Sequence, residues 1–247
     1  MLIHGLILSY RTYNIAMQLK EIIEQAKKIV FFTGAGISTE SGIPDFRSSN
    51  GLYNQNKRAE EIISASYFHA FPQEFYDFYR EKMILKEAQP NVAHLKIAEI
   101  EKDDNQEVWV VTQNIDGLHQ KAGSQKVLEL HGSIHRNYCQ KCHQFYPLEK
   151  IINEDLPICE CGGLIKPDVV LYEEPLDEAT INKTVEVIMD CDCLIICGTS
   201  LAVYPAAAFI NYFRGQYLVI INRDATPADN KANLVIHENL ASVFQTL

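Results

Sequence analysis

The chain has no surplus of positive charge. Its 247 residues carry 22 Lys and Arg against 32 Asp and Glu, a formal net charge of -10, which argues against holding nucleic acid electrostatically and suits cationic peptides such as lysine-rich tails. No basic stretch opens it either. Met1 to Ala16 offers only the apolar run Leu6-Ile7-Leu8, too short to cross a membrane and a poor signal peptide. Residues 1–16 are therefore expected to be an extension outside the fold, with Met17 as a natural start and no membrane partner. Nor is there an even set of cysteines. The seven present, with CxxC spacing among them, point to metal ligation in a reducing compartment rather than to disulfides, so the cytoplasm is the expected location. Repeats and low-complexity segments are absent.

What is present is a series of short apolar runs, each ending in polar residues. Ile29 to Thr33, Val108 to Val111, Leu194 to Cys197, Tyr217 to Ile221 and Leu234 to His237 read as buried strands. Helical patterns alternate with them: Met17 to Lys28, Asn91 to Lys102, Leu176 to Met189 and Ala206 to Phe213. That alternation is the pattern of a parallel sheet with helices on both faces. Ala59 to Lys86 is mostly helical in pattern and crowded with aromatics, Tyr67, Phe68, Phe71, Phe75, Tyr76, Phe78 and Tyr79, which predicts the core of a small helical module.

The strand ends carry the chemistry. Gly34-Ala35-Gly36 follows the first strand, and such a turn lets backbone N–H groups approach a pyrophosphate or simply makes a tight connection. The G-x-G-x-x-G fingerprint fails because Thr39 stands at the third glycine, which disfavours an ordinary NAD dehydrogenase. Asp45-Phe46-Arg47-Ser48 after Pro44 predicts a loop able to fold over a ligand, with Phe46 shielding a reacting carbon and Arg47 pairing with phosphate; taken singly, these two residues read as core and as a surface ion pair. After Val108–Val111 come the amides Gln113 and Asn114, the carboxylate Asp116, and then His119 and His131. Each alone is as readily a cap or a satisfied core residue. Clustered at a strand's carboxyl end, they form a polar site. Thr199 and Ser200 after Gly198 offer phosphate donors, and Asn222 offers a hold on a ribose.

Cys139, Cys142, Cys159 and Cys161 bracket a hydrophilic insert. Four thiolates in two close pairs make a closed, structural Zn²⁺ site. The second pair is CxC, one residue short of the usual spacing, so His143 is an alternative ligand. Cys191, Cys193 and Cys197 read instead as small buried hydrophobes.

Gly34 to Ser48 (GAGISTESGIPDFRS), Thr112 to His119 (TQNIDGLH), Leu130 to Gly132, the two cysteine pairs, Pro167 to Val170, Gly198 to Leu201 and Ile221-Asn222 together resemble the sirtuin family of NAD-dependent protein-lysine deacylases, of bacterial type, from about Met17 onward. The resemblance implies an α/β fold: a Rossmann-like doubly wound parallel sheet (about 17–45, 91–137 and 166–247) with a smaller domain formed by a helical insert (46–90) and a zinc ribbon (138–165). It implies NAD as co-substrate, structural Zn²⁺ and acetylated-lysine protein substrates. Residue by residue, it assigns NAD contacts to Gly34, Ala35, Gly36, Thr39, Asp45, Phe46, Arg47, Gln113, Asn114, Ile115, Asp116, Gly198, Thr199, Ser200, Asn222 and Asp224. Val169, Val170 and Tyr172 would line the lysine channel, where a peptide adds as a strand. Asn114 and Asp116 would serve the catalytic centre, with His131 as the general base on the ribose hydroxyls. Products would be free lysine, nicotinamide and O-acyl-ADP-ribose. Succinyl-preferring relatives carry Tyr-x-x-Arg on the small-domain helix. Here Tyr76 is followed by Tyr79, with Arg80 one place late and so about 100° round the helix, which predicts deacetylation over desuccinylation. Two other classes are compatible with the same cleft, a protein ADP-ribosyltransferase and a non-catalytic zinc-stabilised NAD or peptide binder.

Overall fold

A computed structural model describes residues 16–48 and 51–247. The expectation for 1–16 falls, over 1–15, outside the described residues. Residues 16–25 are helical, and Ala16 is buried.

Six strands form one parallel sheet. They are β1 (Lys28–Thr33), β2 (Glu107–Thr112), β3 (Val127–Glu129), β7 (Cys193–Cys197), β8 (Tyr217–Ile221) and β9 (Leu234–Ile236), in the order β3-β2-β1-β7-β8-β9. Between β3 and β7 the chain builds a second, antiparallel sheet from β4 (Gly132–Cys139), β5 (Phe145–Tyr146) and β6 (Ile165–Val169), in the order β5-β4-β6. Gly132, Ser133 and Asn137, grouped by sequence with the large part, pair here with Val169, Asp168 and Pro167 in the small sheet, where Lys166 pairs with Tyr138.

The period-2 geometry of β1 sorts its side chains onto two faces. Phe31, with Ile195 and Val219 from neighbouring strands, packs on Leu19, Ile23, Ile97 and Phe244. Phe32 and Val30 face the other way, with Ile196 and Ile220, onto Ile188 and Phe209. Each fully buried side chain of this size contributes about 1.5–3 kcal/mol. Continuous apolar runs therefore make strands covered on both sides.

Helix boundaries follow their caps. Asn91 accepts from Ala93 N at 3.0 Å and opens Val92–Ile100; Asp177 accepts from Thr180 N at 2.7 Å and opens Glu178–Asp190. The stretch expected as one helical module is cut into Ala59–Ile62, Ala65–Ala70 and Pro72–Phe78, followed by a π turn over Tyr79–Met83. Ser64 and Pro72 make the cuts, one as a side-chain cap and one as a first-turn proline without a donor. Ala206–Tyr212 is a 3₁₀ helix. The aromatics do form a core. Phe68, Phe75, Tyr76 and Tyr79 pack with Ile134, Leu148, Ile151 and Ile165, so the helical insert and the small sheet share one apolar interior.

The sheet order reverses between β1 and β7, and the chain leaves both strands through glycine turns that touch. Gly36 N donates to Gly198 O at 2.8 Å. A Cβ at Gly36 would stand 2.7 Å from that oxygen and 2.8 Å from Gly198 Cα, and Gly198 itself has φ +61°. Only residues without a side chain permit this approach.

The cysteine insert closes on itself. The Sγ atoms of Cys139, Cys142, Cys159 and Cys161 all lie within 4.8 Å of one another. Zn–S bonds of about 2.3 Å place tetrahedral sulfurs about 3.8 Å apart, so the donor set fits a closed zinc site and includes both members of the CxC pair. His143 is exposed, outside the cluster, at φ +59°.

Gly36→Ala is expected to lower stability by about 1–3 kcal/mol, read from the urea midpoint at unchanged m-value. Cys161→Ser is expected to lose the metal, with zinc content falling from about one per chain toward zero and the melting temperature dropping. A variant that keeps full zinc and its melting point would contradict this ligand set.

Candidate active site

A cavity of about 520 Å³ opens at the carboxyl ends of β1, β2 and β7, and small-sheet and helical-insert residues complete its wall. Every residue expected at a cofactor or peptide site lines it. Gly34 to Gly36 and Thr39 come from the first turn, Asp45 to Arg47 from the following loop and Gln113 to Asp116 from the tail of β2. Gly198 to Ser200 follow β7, Asn222 and Asp224 follow β8, and Val169, Val170 and Tyr172 come from β6 and beyond, with His131 among them.

His131 lies between β3 and β4, where the chain passes from one sheet to the other. It is pinned on three sides. Leu130 N donates to Thr112 O at 2.9 Å, the His131 carbonyl accepts from Val170 N at 3.0 Å, and the ring Nδ1 is 2.8 Å from Gln113 O. A carbonyl only accepts, so Nδ1 carries the proton and Nε2 keeps its lone pair. The next residue must be glycine: Gly132 has φ +75°, and a Cβ there would stand 1.9 Å from Asp168 O. Burial lowers the His131 pKa below its usual 6.5, opposed by the Gln113 hydrogen bond. The ring is a neutral proton acceptor at neutral pH.

Asp116 is held as an acceptor. Its Oδ2 receives Ser38 Oγ at 2.7 Å and Asn114 Nδ2 at 3.3 Å, and its Oδ1 receives Leu118 N at 2.9 Å. Asn114 also donates to Ser38 Oγ at 3.0 Å, and Gln113 Nε2 donates to Thr199 Oγ1 at 3.1 Å, tying the tail of β2 to that of β7. Asp45 Oδ1 accepts from Ser48 N at 2.8 Å and shapes the loop, while Phe46 packs on Tyr53 at 5.4 Å between ring centroids.

Several participants were not assigned from sequence. Ser38 sits inside the glycine motif with nothing local to mark its partner. His94 Nε2 is 3.5 Å from Ser38 Oγ, and the His94 and His119 rings lie 4.8 Å apart. Burial lowers the His94 pKa to about 4 against the pull of Asp116, and holds His119 well below 6.5, with His94 adding to the effect. Both are fully covered, so neither reaches the cavity as a base.

Arg80 does turn elsewhere. Its guanidinium donates to the carbonyls of Ile151, Glu154 and Asp155 at 3.4, 2.8 and 3.1 Å and pairs with Asp77 at 2.6 Å. Tyr76 gives its hydroxyl to Ile165 O.

The chain as a whole is similar to known proteins. The chain is 52% identical over 237 residues to an NAD-dependent protein deacetylase of Clostridium acetobutylicum, covering 93% of this chain and 96% of that one. It is 54% identical over 235 residues to a protein of the same name from Clostridium perfringens, covering 92% and 96%. A solved structure of Sir2 with a p53 peptide and NAD⁺ matches with a TM-score of 0.82 at 37% identity, over 92% of this chain and 95% of that one. Sir2 bound to acetylated peptide matches at 0.82 and 35% identity, over 93% and 95%. Residues 34–205 fit the model of the Sir2 family. With that span and those identities, the chain belongs to the Sir2 family.

Proposed function

We propose that the chain is an NAD-dependent protein-lysine deacetylase whose reaction takes place in the 520 Å³ cavity. The observation that carries this is the meeting of one accepting imidazole, one held carboxylate and two glycine turns in a single hollow, in a chain about half identical to proteins named for that activity.

In this reading Gly34, Ala35, Gly36, Thr39, Gly198, Thr199 and Ser200 bind the pyrophosphate, as backbone N–H groups and hydroxyls at strand ends do. Asn222 and Asp224 hold the adenosine ribose. Gln113, Asn114, Ile115 and Asp116 surround the nicotinamide and its ribose, with Asp116 orienting the carboxamide through its N–H donors. Asp45 shapes the loop that carries Phe46 over the reacting carbon, excluding water, and Arg47 pairs with phosphate. Bound there, NAD supplies an electrophilic ribose carbon and the sugar hydroxyls that finally carry the acyl group. His131 Nε2 takes a proton from those hydroxyls. Val169, Val170 and Tyr172 flank the acyl-lysine, and the peptide backbone adds as a strand between the large part and the small part, about 46–90 and 138–165.

Among the described residues no helix is long and apolar enough to cross a membrane. A cytoplasmic location belongs to this reading, since a reducing compartment keeps the four ribbon thiols available for zinc.

His131→Ala is expected to leave an acetyl-lysine peptide intact under conditions where the parent deacetylates it, followed by mass spectrometry with NAD; full activity in the variant would remove the base assignment. Because burial lowers this pKa, the neutral form persists as pH falls past 6.5, so the acid limb of the kcat/KM profile should have its midpoint below pH 6.5. With Arg80 committed to carbonyls and Asp77, an acyl carboxylate finds no partner from that side chain. Acetyl-lysine peptides should exceed succinyl-lysine peptides in kcat/KM by more than about ten-fold, and the reverse order would refute this.

A further inference from the structure

Tyr172 belongs to the cavity wall, yet its atoms join three separate segments. Its N–H donates to Ile63 O at 3.0 Å and its carbonyl accepts from Ala65 N at 3.0 Å, a parallel bridge to the helical insert. Glu173, the next residue, holds φ +75°, a left-handed conformation that bulky side chains rarely take. Its carboxylate accepts from Ser66 N at 2.8 Å and Ser66 Oγ at 2.9 Å, which keeps the backbone in that conformation. Four hydrogen bonds therefore fix the Tyr172 backbone against the helical insert.

That ring places its hydroxyl 2.7 Å from the hydroxyl of Tyr53. Tyr53 lies seven residues past Phe46, at the far end of the segment that begins with Asp45-Phe46-Arg47. It packs on Phe46 and lies under the Arg47 guanidinium at 5.2 Å, and Arg47 Nη2 reaches Tyr172 Oη at 3.5 Å. Backbone bonds from Leu52 N to Asp45 O at 2.8 Å and from Tyr53 N to Phe46 O at 3.0 Å hold the two ends of the segment together. Whatever holds Tyr53 thus holds Phe46 and Arg47. Burial, and then the bond to Tyr172, raise the Tyr53 pKa well above its ordinary 10, so it remains a neutral phenol.

We propose that the Tyr172 hydroxyl is a positioning group that couples the lysine channel to the loop over the cofactor: acyl-lysine packed against the Tyr172 ring steadies the Tyr172–Tyr53 contact, and through it the grip of Phe46 and Arg47. This rests on the deacetylase reading of the cavity. Loss of either hydroxyl breaks the Tyr172–Tyr53 hydrogen bond, loss of the Tyr172 hydroxyl also removes the contact from Arg47, and loss of both removes nothing that loss of the Tyr172 hydroxyl alone does not. The coupling is reciprocal, as any linkage of two binding sites must be.

ADP-ribose tests this without turnover, since it has no nicotinamide to lose. The full-length parent, Tyr172→Phe, Tyr53→Phe and the double variant are titrated calorimetrically with ADP-ribose, with and without saturating acetyl-lysine peptide. Each single variant should bind ADP-ribose about 3- to 10-fold more weakly. The double variant should match Tyr172→Phe, and the tightening produced by peptide should be smaller in all three than in the parent. Unchanged affinity in both single variants, losses that multiply in the double, or equal tightening by peptide in the parent and Tyr172→Phe would each overturn the proposal. A parent that shows the expected cycle yet never deacetylates the peptide with NAD would support the contact and overturn the deacetylase reading.

Discussion

The backbone contact between Gly36 and Gly198 is the constraint from which the site follows. β1 and β7 are neighbours in the sheet although more than 150 residues separate them in the chain, and the order reverses between them. At such a reversal the loops leaving two adjacent strands diverge and open a crevice. Here they first touch, at 2.8 Å, and then part. Side chains from the tails of β2, β7 and β8 consequently face one hollow, and the Gln113 bond to Thr199 fixes two of those tails against each other. A bulkier residue at either glycine would separate the turns and widen the whole arrangement.

The chain holds eight histidines, and the structure separates His94, His119 and His131 by physical criteria. His94 and His119 are fully covered, and desolvation keeps both uncharged. His94 backs Ser38, which in turn backs Asp116, while His119 Nε2 is 3.1 Å from Thr33 Oγ1. His131 differs in being a cavity residue whose Nδ1 alone, among the described residues' contacts, is engaged by protein. A base needs an open lone pair as well as a suitable pKa, and only the third ring has both.

Much of this was legible from residue order, because polar residues that stop apolar runs mark the carboxyl ends of strands in a parallel sheet. β1, β2, β7, β8 and β9 were readable for that reason, within a residue or so at each end. β3 and β5 were not: three and two residues long, they have no periodicity to read, and they exist because longer neighbours offer them pairing edges. β4 is eight residues, but it alternates poorly and carries an irregularity between Ser133 and Asn137. The cysteine cluster was visible in spacing, and the fold brings both thiols of the short CxC pair into it, leaving His143 outside. Ser38 and Tyr53 acquire their partners across 78 and 119 residues of chain, a relation that local pattern cannot express.

The small sheet and helical insert do more than complete a wall. They share one apolar core, and His131 stands at the joint between it and the parallel sheet. In the proposed reaction this is where cofactor and acyl-lysine meet. The most direct measurement is nicotinamide release from NAD by the purified chain, with and without an acetyl-lysine peptide. Release should depend on the peptide, with one acetyl group lost per nicotinamide formed. Release without deacetylation, or NAD binding with no release at all, would contradict this.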